Sequence, residues 1–248
     1  MARRKVADLQ ARLARDGFVH YAASDAWCEA AASDARAALD AALAPGAWLP
    51  ECLRPRVGTN IRTRTRRWDV AVDASAAVAA AVAAAAAPAA DLAAVVGDDA
   101  ALVQLSVVAS DPGAPAQQAH CDTAFSPGPP LYTFLVALQD VSEGMGPTSV
   151  WPGTHAAAFH ARSPAERARH LALEAPAGGG AARRGDALLF DSRVYHGGGA
   201  NGEARRLLLS ATFKSAAAHA GADAGTTDSL LPHLAGRWTL GDFLARAA

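Results

Sequence analysis

The chain has 248 residues, with 23 Lys plus Arg against 24 Asp plus Glu, for a formal net charge of -1. That length suits one substantial all-β unit with a large buried core, and the charge balance supplies no global attraction toward nucleic acid or an anionic membrane. Three cysteines, Cys28, Cys52 and Cys121, with no C-x-x-C among them, exclude a disulfide framework and a zinc knuckle and fit a reducing compartment.

The N-terminus "MARRKVADLQARLARDGF" is charged and helix-like, with no apolar stretch before a cleavage site, so the expected location is intracellular, in the cytoplasm. Val6, Leu9 and Leu13 recur at spacings of three and four, which predicts a helix ended by Gly17. A second helix is predicted over 25–43, before "APGAW". In "IRTRTRRWDV", Arg62, Arg64 and Arg66 alternate with threonines, as in a strand with one cationic face, or a solvated edge strand guarded by charge. The Ala-rich run 74–94 is broken by Pro88 and Asp91 and is too weakly apolar for a membrane span, so it reads as helix. No membrane partner is expected.

From Leu102 onward the texture changes to short β-rich runs set apart by Pro and Gly: "LVQLSVVAS", "LYTFLVAL", "TSVWPG", "DALLFDS" and "RLLLSATF". Such spacing predicts a sandwich or a jelly roll. The glycine triplets 178–180 and 197–199 lack the context of a nucleotide-binding loop and read as turns.

Within these runs, "QQAHCD" places His120 and Asp122 two residues apart. On a strand their side chains share one face, with Cys121 on the other. Roughly half an occurrence of His-x-Asp is expected by chance in a chain of this composition, so the pair alone carries little. A third ligand is offered by His196, beyond the apolar strand ending at Phe190 and followed by glycines that admit close backbone approach. Two imidazoles and a carboxylate on one face of an octahedron form the facial triad of non-haem Fe(II) oxygenases, which leaves positions open for catalysis. A structural zinc site would instead close the sphere with four protein ligands. A guanidinium after the distal histidine can hold a dicarboxylate bidentately. If "RLLLSATF" is a strand, Arg206, Leu208, Ser210 and Thr212 share a face, so Arg206 is the predicted clamp, with Arg205 in reserve.

"QQAHCD", "VALQDVSEGMGPTSVWPGTH", "GDALLFDSRVYHGGGAN" and "RRLLLSATF" together resemble the phytanoyl-CoA dioxygenase family of Fe(II)/2-oxoglutarate-dependent oxygenases. The resemblance extends from "DGFV" at 16–19 to about Phe213 and is specific from Gln104 onward. It implies a mainly β fold with flanking α-helices, the double-stranded β-helix or cupin-like jelly-roll barrel. The whole of 1–248 would form one domain: a helical part to about 100, the jelly roll at about 101–215, and a C-terminal extension at about 216–248. It further implies Fe(II) on His120, Asp122 and His196, 2-oxoglutarate clamped by Arg206, O2 as co-substrate, and release of succinate and CO2. Gln104, Gln117, Thr133 and Thr148 fall where family members line the co-substrate or its adjoining pocket, and Ser210 would point with Arg206 into the barrel. The chain departs from the pattern at Met145 in "EGMGPT" and in a short interval from His196 to Arg206. Related halogenases carry a small residue in place of the carboxylate, so Asp122 implies hydroxylation or another oxidation.

The expected substrate is a small molecule, and the basic residues Arg54, Arg56, Arg62, Arg64, Arg66 and Arg67 suit an anionic one. Two other readings stand beside this one. The first is a catalytically silent metal-holding jelly roll. The second is a nucleic-acid-modifying oxygenase that sets the same arginines against phosphate; neutral net charge and the lack of a reading motif weigh against it. His155 in "PGTH", Tyr195 and Asp186 read as structural, while Trp151 fits either the substrate pocket or the core. No feature reports an oligomeric state.

Overall fold

The computed structural model describes residues 2–47, 66–87, 96–178, 180–218 and 229–246. Helix α1 (Ala2–Asp16) is closed by Gly17, whose φ of 83° turns the chain back so that its N–H meets Leu13 O. The next residues form strand β1 (Phe18–Ala22), which the helical reading of this region did not anticipate. Helix α2 (Cys28–Leu43) buries Ala31, Ala32, Ala35, Leu39 and Ala42, one stripe at helical spacing.

Strand β2 (Arg67–Ala71) is followed by α3 (Ala76–Ala86), whose first turn is capped by Ser75 Oγ accepting from Val78 N–H. Of the predicted "IRTRTRRWDV" strand, residues 67–70 belong to β2. Its residues 61–65 lie outside the described residues, as do Cys52, Arg54, Arg56 and 88–95 of the Ala-rich run. No helix among the described residues is long and apolar enough to cross a membrane.

The β-rich runs become β3 (Ala101–Ser110), β4 (Leu131–Ala137), β5 (Thr148–Val150), β6 (Asp186–Asp191), β7 (His196–Gly198) and β8 (Arg206–Lys214). Short helices α4 (Ala157–His160) and α5 (Pro164–Leu173) lie between β5 and β6, and α6 (Leu240–Leu244) follows β8. Six strands form one antiparallel sheet in the order β1-β6-β4-β8-β3-β2. Opposite it, β5 and β7 form a small sheet, extended by bridges from His120 to His196, Ala114 to Asn201 and Val150 to Ala177. Two facing antiparallel layers with a shared interior make this a jelly roll.

Strand alternation decides which residues meet the helices and which line the interior. Leu207, Leu209, Ala211 and Phe213 of β8 join Leu105, Val107 and Ala109 of β3 in the main core, with Leu39 of α2, Val82 of α3 and Phe243 of α6. Their alternates Arg206, Leu208, Ser210 and Thr212 therefore face the small sheet, as their shared face predicted.

One buried ion pair ties the end of β6 to the following loop. Arg193 donates to Asp191 through Nε and Nη2 at 2.9 and 2.7 Å, reaches the carbonyls of Ser126 and Gly128, and lies over the Phe125 ring. Both side chains are largely buried. Arg193→Ala leaves the Asp191 carboxylate buried without its partner, so urea denaturation is expected to show a loss of about 3 kcal/mol. Limited proteolysis should then cut first in the 123–128 segment.

Candidate active site

The backbone, rather than strand alternation, brings the three chemistry-bearing side chains together. His120 pairs with His196 through reciprocal N–H to O bonds of 2.9 and 2.8 Å, after which the chain bends. The Asp122 and Thr123 amides both donate to Ser192 O, and Thr123 Oγ1 meets Ser192 Oγ at 2.7 Å. The turn after β6 thereby sets the Asp122 carboxylate against the two imidazoles. One ligand atom from each of His120, Asp122 and His196 lies within 4.8 Å of the others.

His196 Nδ1 sits 3.1 Å from Val194 O and His120 Nδ1 3.0 Å from Gln118 O, which assigns each Nδ1 the proton. The two Nε2 atoms are left facing Asp122 Oδ1, at 3.5 Å from His196 and 3.9 Å from His120. Burial holds the His120 pKa below its ordinary value, and the neighbouring His196 lowers it further. A neutral imidazole with an inward lone pair is the form that binds a metal.

Cys121 turns away from this point toward Tyr195, and burial raises its thiol pKa, so it remains a thiol. Cys121→Ala is expected to bind one Fe(II) per chain as the wild type does, measured by metal analysis after anaerobic loading. Tyr195 itself packs edge-on against Phe159.

Behind the triad the interior is polar. Thr133 Oγ1 meets Thr212 Oγ1 at 2.9 Å, Thr212 donates to Gln104 Oε1 at 3.0 Å, and Gln104 Nε2 donates to Ser106 Oγ at 3.1 Å. Ser210 is buried on β8 between Ser106 and Leu135 of the flanking strands. Gln117 is bound to the small sheet, where its N–H donates to Gly198 O and its Oε1 accepts from Gly198 N–H, both at 2.8 Å. Thr148 lines a mostly apolar cleft together with Arg206, Leu135, Leu188 and Leu208.

Arg206 is 1% exposed and donates through Nη1 to Gly146 O, while its Nε is buried with no partner. Burial pushes its pKa down to about 9, and the Arg67 guanidinium adds to the effect. Arg205 faces the other way and is held by Asp111 at 2.9 Å, with Asp40 beyond it. The adjacent pair is thus divided between a surface ion pair and an interior site.

Several sequence expectations take a different form. Residues 197–198, read as a turn, belong to β7, because the missing side chains let other groups close over the strand. A Cβ on Gly198 would lie 2.7 Å from Gln117 Oε1, 2.8 Å from Arg67 Nη1 and 3.0 Å from Arg206 Nη2. Trp151 does not line the interior but donates its indole N–H to the carbonyls of Leu171 and Glu174 at the end of α5. His155 meets Ala14 O, and Asp186 accepts from Arg183 N–H at the entrance to β6, both in structural positions. Arg66 is bound to Pro112 O, and Arg67 is buried within the fold. The sequence puts Arg67 in a basic cluster, of which Arg54, Arg56, Arg62 and Arg64 lie outside the described residues.

The residues present fit a metal with a dicarboxylic 2-oxo acid. The triad presents two imidazole nitrogens and one carboxylate oxygen, and the interior ends on a buried guanidinium with an unpartnered N–H. Comparisons with known proteins bear on the same point. The profile of the family described as phytanoyl-CoA dioxygenase (PhyH) matches residues 13–206. A search of curated proteins finds no match. Among solved structures, the epimerase SnoN in complex with Fe3+, α-ketoglutarate and nogalamycin RO is 25% identical with a TM-score of 0.61; 86% of this chain and 85% of that one are covered. The non-haem α-ketoglutarate-dependent carbocyclase SnoK of nogalamycin biosynthesis is 16% identical with a TM-score of 0.65 over 87% and 86% of the two chains. HygX from Streptomyces hygroscopicus, with nickel, 2-oxoglutarate and hygromycin B bound, is 15% identical with a TM-score of 0.60 over 84% and 87%.

Proposed function

The chain belongs to the phytanoyl-CoA dioxygenase family, and we propose on that basis that it is a non-haem Fe(II)/2-oxoglutarate-dependent oxygenase. It hydroxylates a small molecule and releases succinate and CO2. The observation that carries this reading is the convergence of His120, Asp122 and His196, with the buried Arg206 guanidinium reaching Gly198 two residues beyond His196 on the same strand.

His120 Nε2, Asp122 Oδ1 and His196 Nε2 would hold Fe(II). Bound Fe(II) with 2-oxoglutarate supplies the oxidising power toward a substrate C–H bond, with O2 as co-substrate. The protein supplies position and shelter. The Gln118 and Val194 carbonyls fix the imidazole tautomers, and the Ser192 turn fixes the carboxylate. Arg206 would take the remote carboxylate of 2-oxoglutarate through its free Nε–H, with Thr148 beside it and Ser210 further along the same face of β8. The Thr133, Thr212 and Gln104 chain gives the site a hydrogen-bonded floor. Leu135, Leu188 and Leu208 keep water from the guanidinium, which strengthens its hold on an anion.

A small organic substrate is supported by the molecules bound in the solved structures, nogalamycin RO on SnoN and hygromycin B on HygX. An anionic substrate suits the basic residues before β2. A nucleic-acid substrate is disfavoured, since Arg67 is buried and Arg66 is committed to a backbone carbonyl.

Anaerobic loading with Fe(II) and 2-oxoglutarate is expected to give the weak visible charge-transfer band of the chelated pair. Metabolites are then screened for stimulated succinate release under 18O2. Label in the product identifies hydroxylation, whereas succinate with an unlabelled isomerised or cyclised product identifies chemistry such as the names of SnoN and SnoK describe. A protein that holds iron yet yields no succinate with any metabolite screened is the silent metal-holding module.

A further inference from the structure

Arg67 has no place in the scheme above, yet its side chain is buried against the same site. It opens β2, where the register sets it opposite Ser110 at the end of β3, and Ser110 is opposite Arg206 at the start of β8. Arg67, Ser110 and Arg206 thus form one row across three strands. Arg67 is 4% exposed. Its Nε and Nη2 donate to Pro115 O at 3.2 and 2.8 Å, and Nη2 also reaches the carbonyls of Gly198 and Gly199. Its Nη1 points to the space left by the missing Gly198 side chain, where Arg206 Nη2 also arrives.

Two guanidinium groups therefore share a buried space, and among the described residues no carboxylate is paired with either. Ser110 Oγ and Arg206 Nε are both buried without a partner in the same row. Backbone carbonyls orient the two cations but leave their charge uncompensated, and a lone charge in such surroundings is costly. A bound anion would compensate both cations and engage the unpartnered donors.

We propose that Arg67 is a positioning residue for 2-oxoglutarate: with Ser110 and Arg206 it forms a paired-guanidinium site for the carboxylate remote from the metal. This rests on the oxygenase reading for the identity of the ligand, but the anion site itself stands on the geometry. Arg67 braces Gly198, on the strand that carries His196, and Gly199 just beyond it, so the anion end and the metal end of the co-substrate are held by one short segment. Two cations in place of one make the site selective for 2-oxo acids that carry a second carboxylate.

The test is calorimetric. Binding of 2-oxoglutarate and of 2-oxopentanoate, which lacks the remote carboxylate, is measured anaerobically on the nickel-loaded protein, and binding of glutarate on the metal-free protein. Arg67→Gln is expected to weaken 2-oxoglutarate and glutarate by roughly 10- to 100-fold, the range of a lost charge-assisted contact, and to leave 2-oxopentanoate within about twofold. Arg67→Lys, a mobile point charge in place of the planar fork, should lose about 3- to 10-fold on the dicarboxylates alone. Unchanged 2-oxoglutarate affinity in Arg67→Gln overturns the proposal. So does an equal loss for both 2-oxo acids, which would mark Arg67 as a brace of the fold. If Arg67→Gln does not fold, unchanged dicarboxylate affinity in Arg67→Lys overturns it. Glutarate binding that depends on Arg67 in a protein forming no succinate would refute the oxygenase reading and keep the anion site.

Discussion

Replacing His196 by alanine is expected to abolish metal retention and turnover together, with Fe(II) affinity falling by well over about 100-fold, since even groups that only orient a metal ligand are worth 10- to 100-fold. The expectation rests on how little else the ring holds in place. Its Nδ1 meets the Val194 carbonyl, and its face packs against Phe190 and His120 at centroid distances of 4.7 Å. The backbone bonds of His196 to His120 and of β7 to β5 survive truncation. The variant should therefore fold, with an unchanged circular dichroism spectrum, and lose only the site. His120→Ala should behave alike, because its Nε2 faces the same Asp122 oxygen. Iron bound at wild-type stoichiometry, or full succinate formation, in either variant would remove these residues from the metal. Cys121→Ala is the matched control, one residue from both His120 and Asp122 but turned toward Tyr195.

The elements legible in the sequence were those in which local pattern and burial agree. The run "RLLLSATF" fixed both the existence of β8 and its phase, because Leu207, Leu209, Ala211 and Phe213 must share the core. The same phase separated Arg206 from Arg205. His120, Asp122 and His196 were legible as types and spacings, but the reason they converge was not. Alternation along one strand was expected, whereas the chain bends after His120 and the Ser192 carbonyl captures Asp122 and Thr123. That contact joins residues some seventy positions apart, and no local signal reports it. Arg67 was hidden for a related reason. In "RTRTRR" it sits among three other cations, a pattern that locally means a solvated face. Only the pairing of β2 to β3 and of β3 to β8 carries it inward. The one hint was that Arg67 breaks the alternation of Arg62, Arg64 and Arg66. Gly198 was misread in the same way, since a glycine in a triplet resembles a turn until the groups that fill its vacant side are known.

Arg206→Met is expected to act in opposite directions on binding and on stability. Its KM for 2-oxoglutarate should rise by roughly 100-fold or more, because two charge-assisted bonds worth about 1.5–3 kcal/mol each are lost from a buried site. At saturating co-substrate kcat should fall less, since the triad is untouched. Arg205→Ala should leave KM within about threefold, as its guanidinium is bound to Asp111 outside the interior. An unchanged KM in Arg206→Met would take the clamp away from this residue. The ligand-free protein should respond in the other sense. Arg206 is a buried cation with a buried cationic neighbour and no paired carboxylate among the described residues. Methionine of similar length removes an uncompensated charge and fills the same space, so the metal-free variant should be more stable than the wild type by about 1 kcal/mol. An ordinary core residue would destabilise on substitution. A gain in melting temperature joined to a loss of co-substrate binding is what distinguishes a charge kept for its ligand from one kept for the fold.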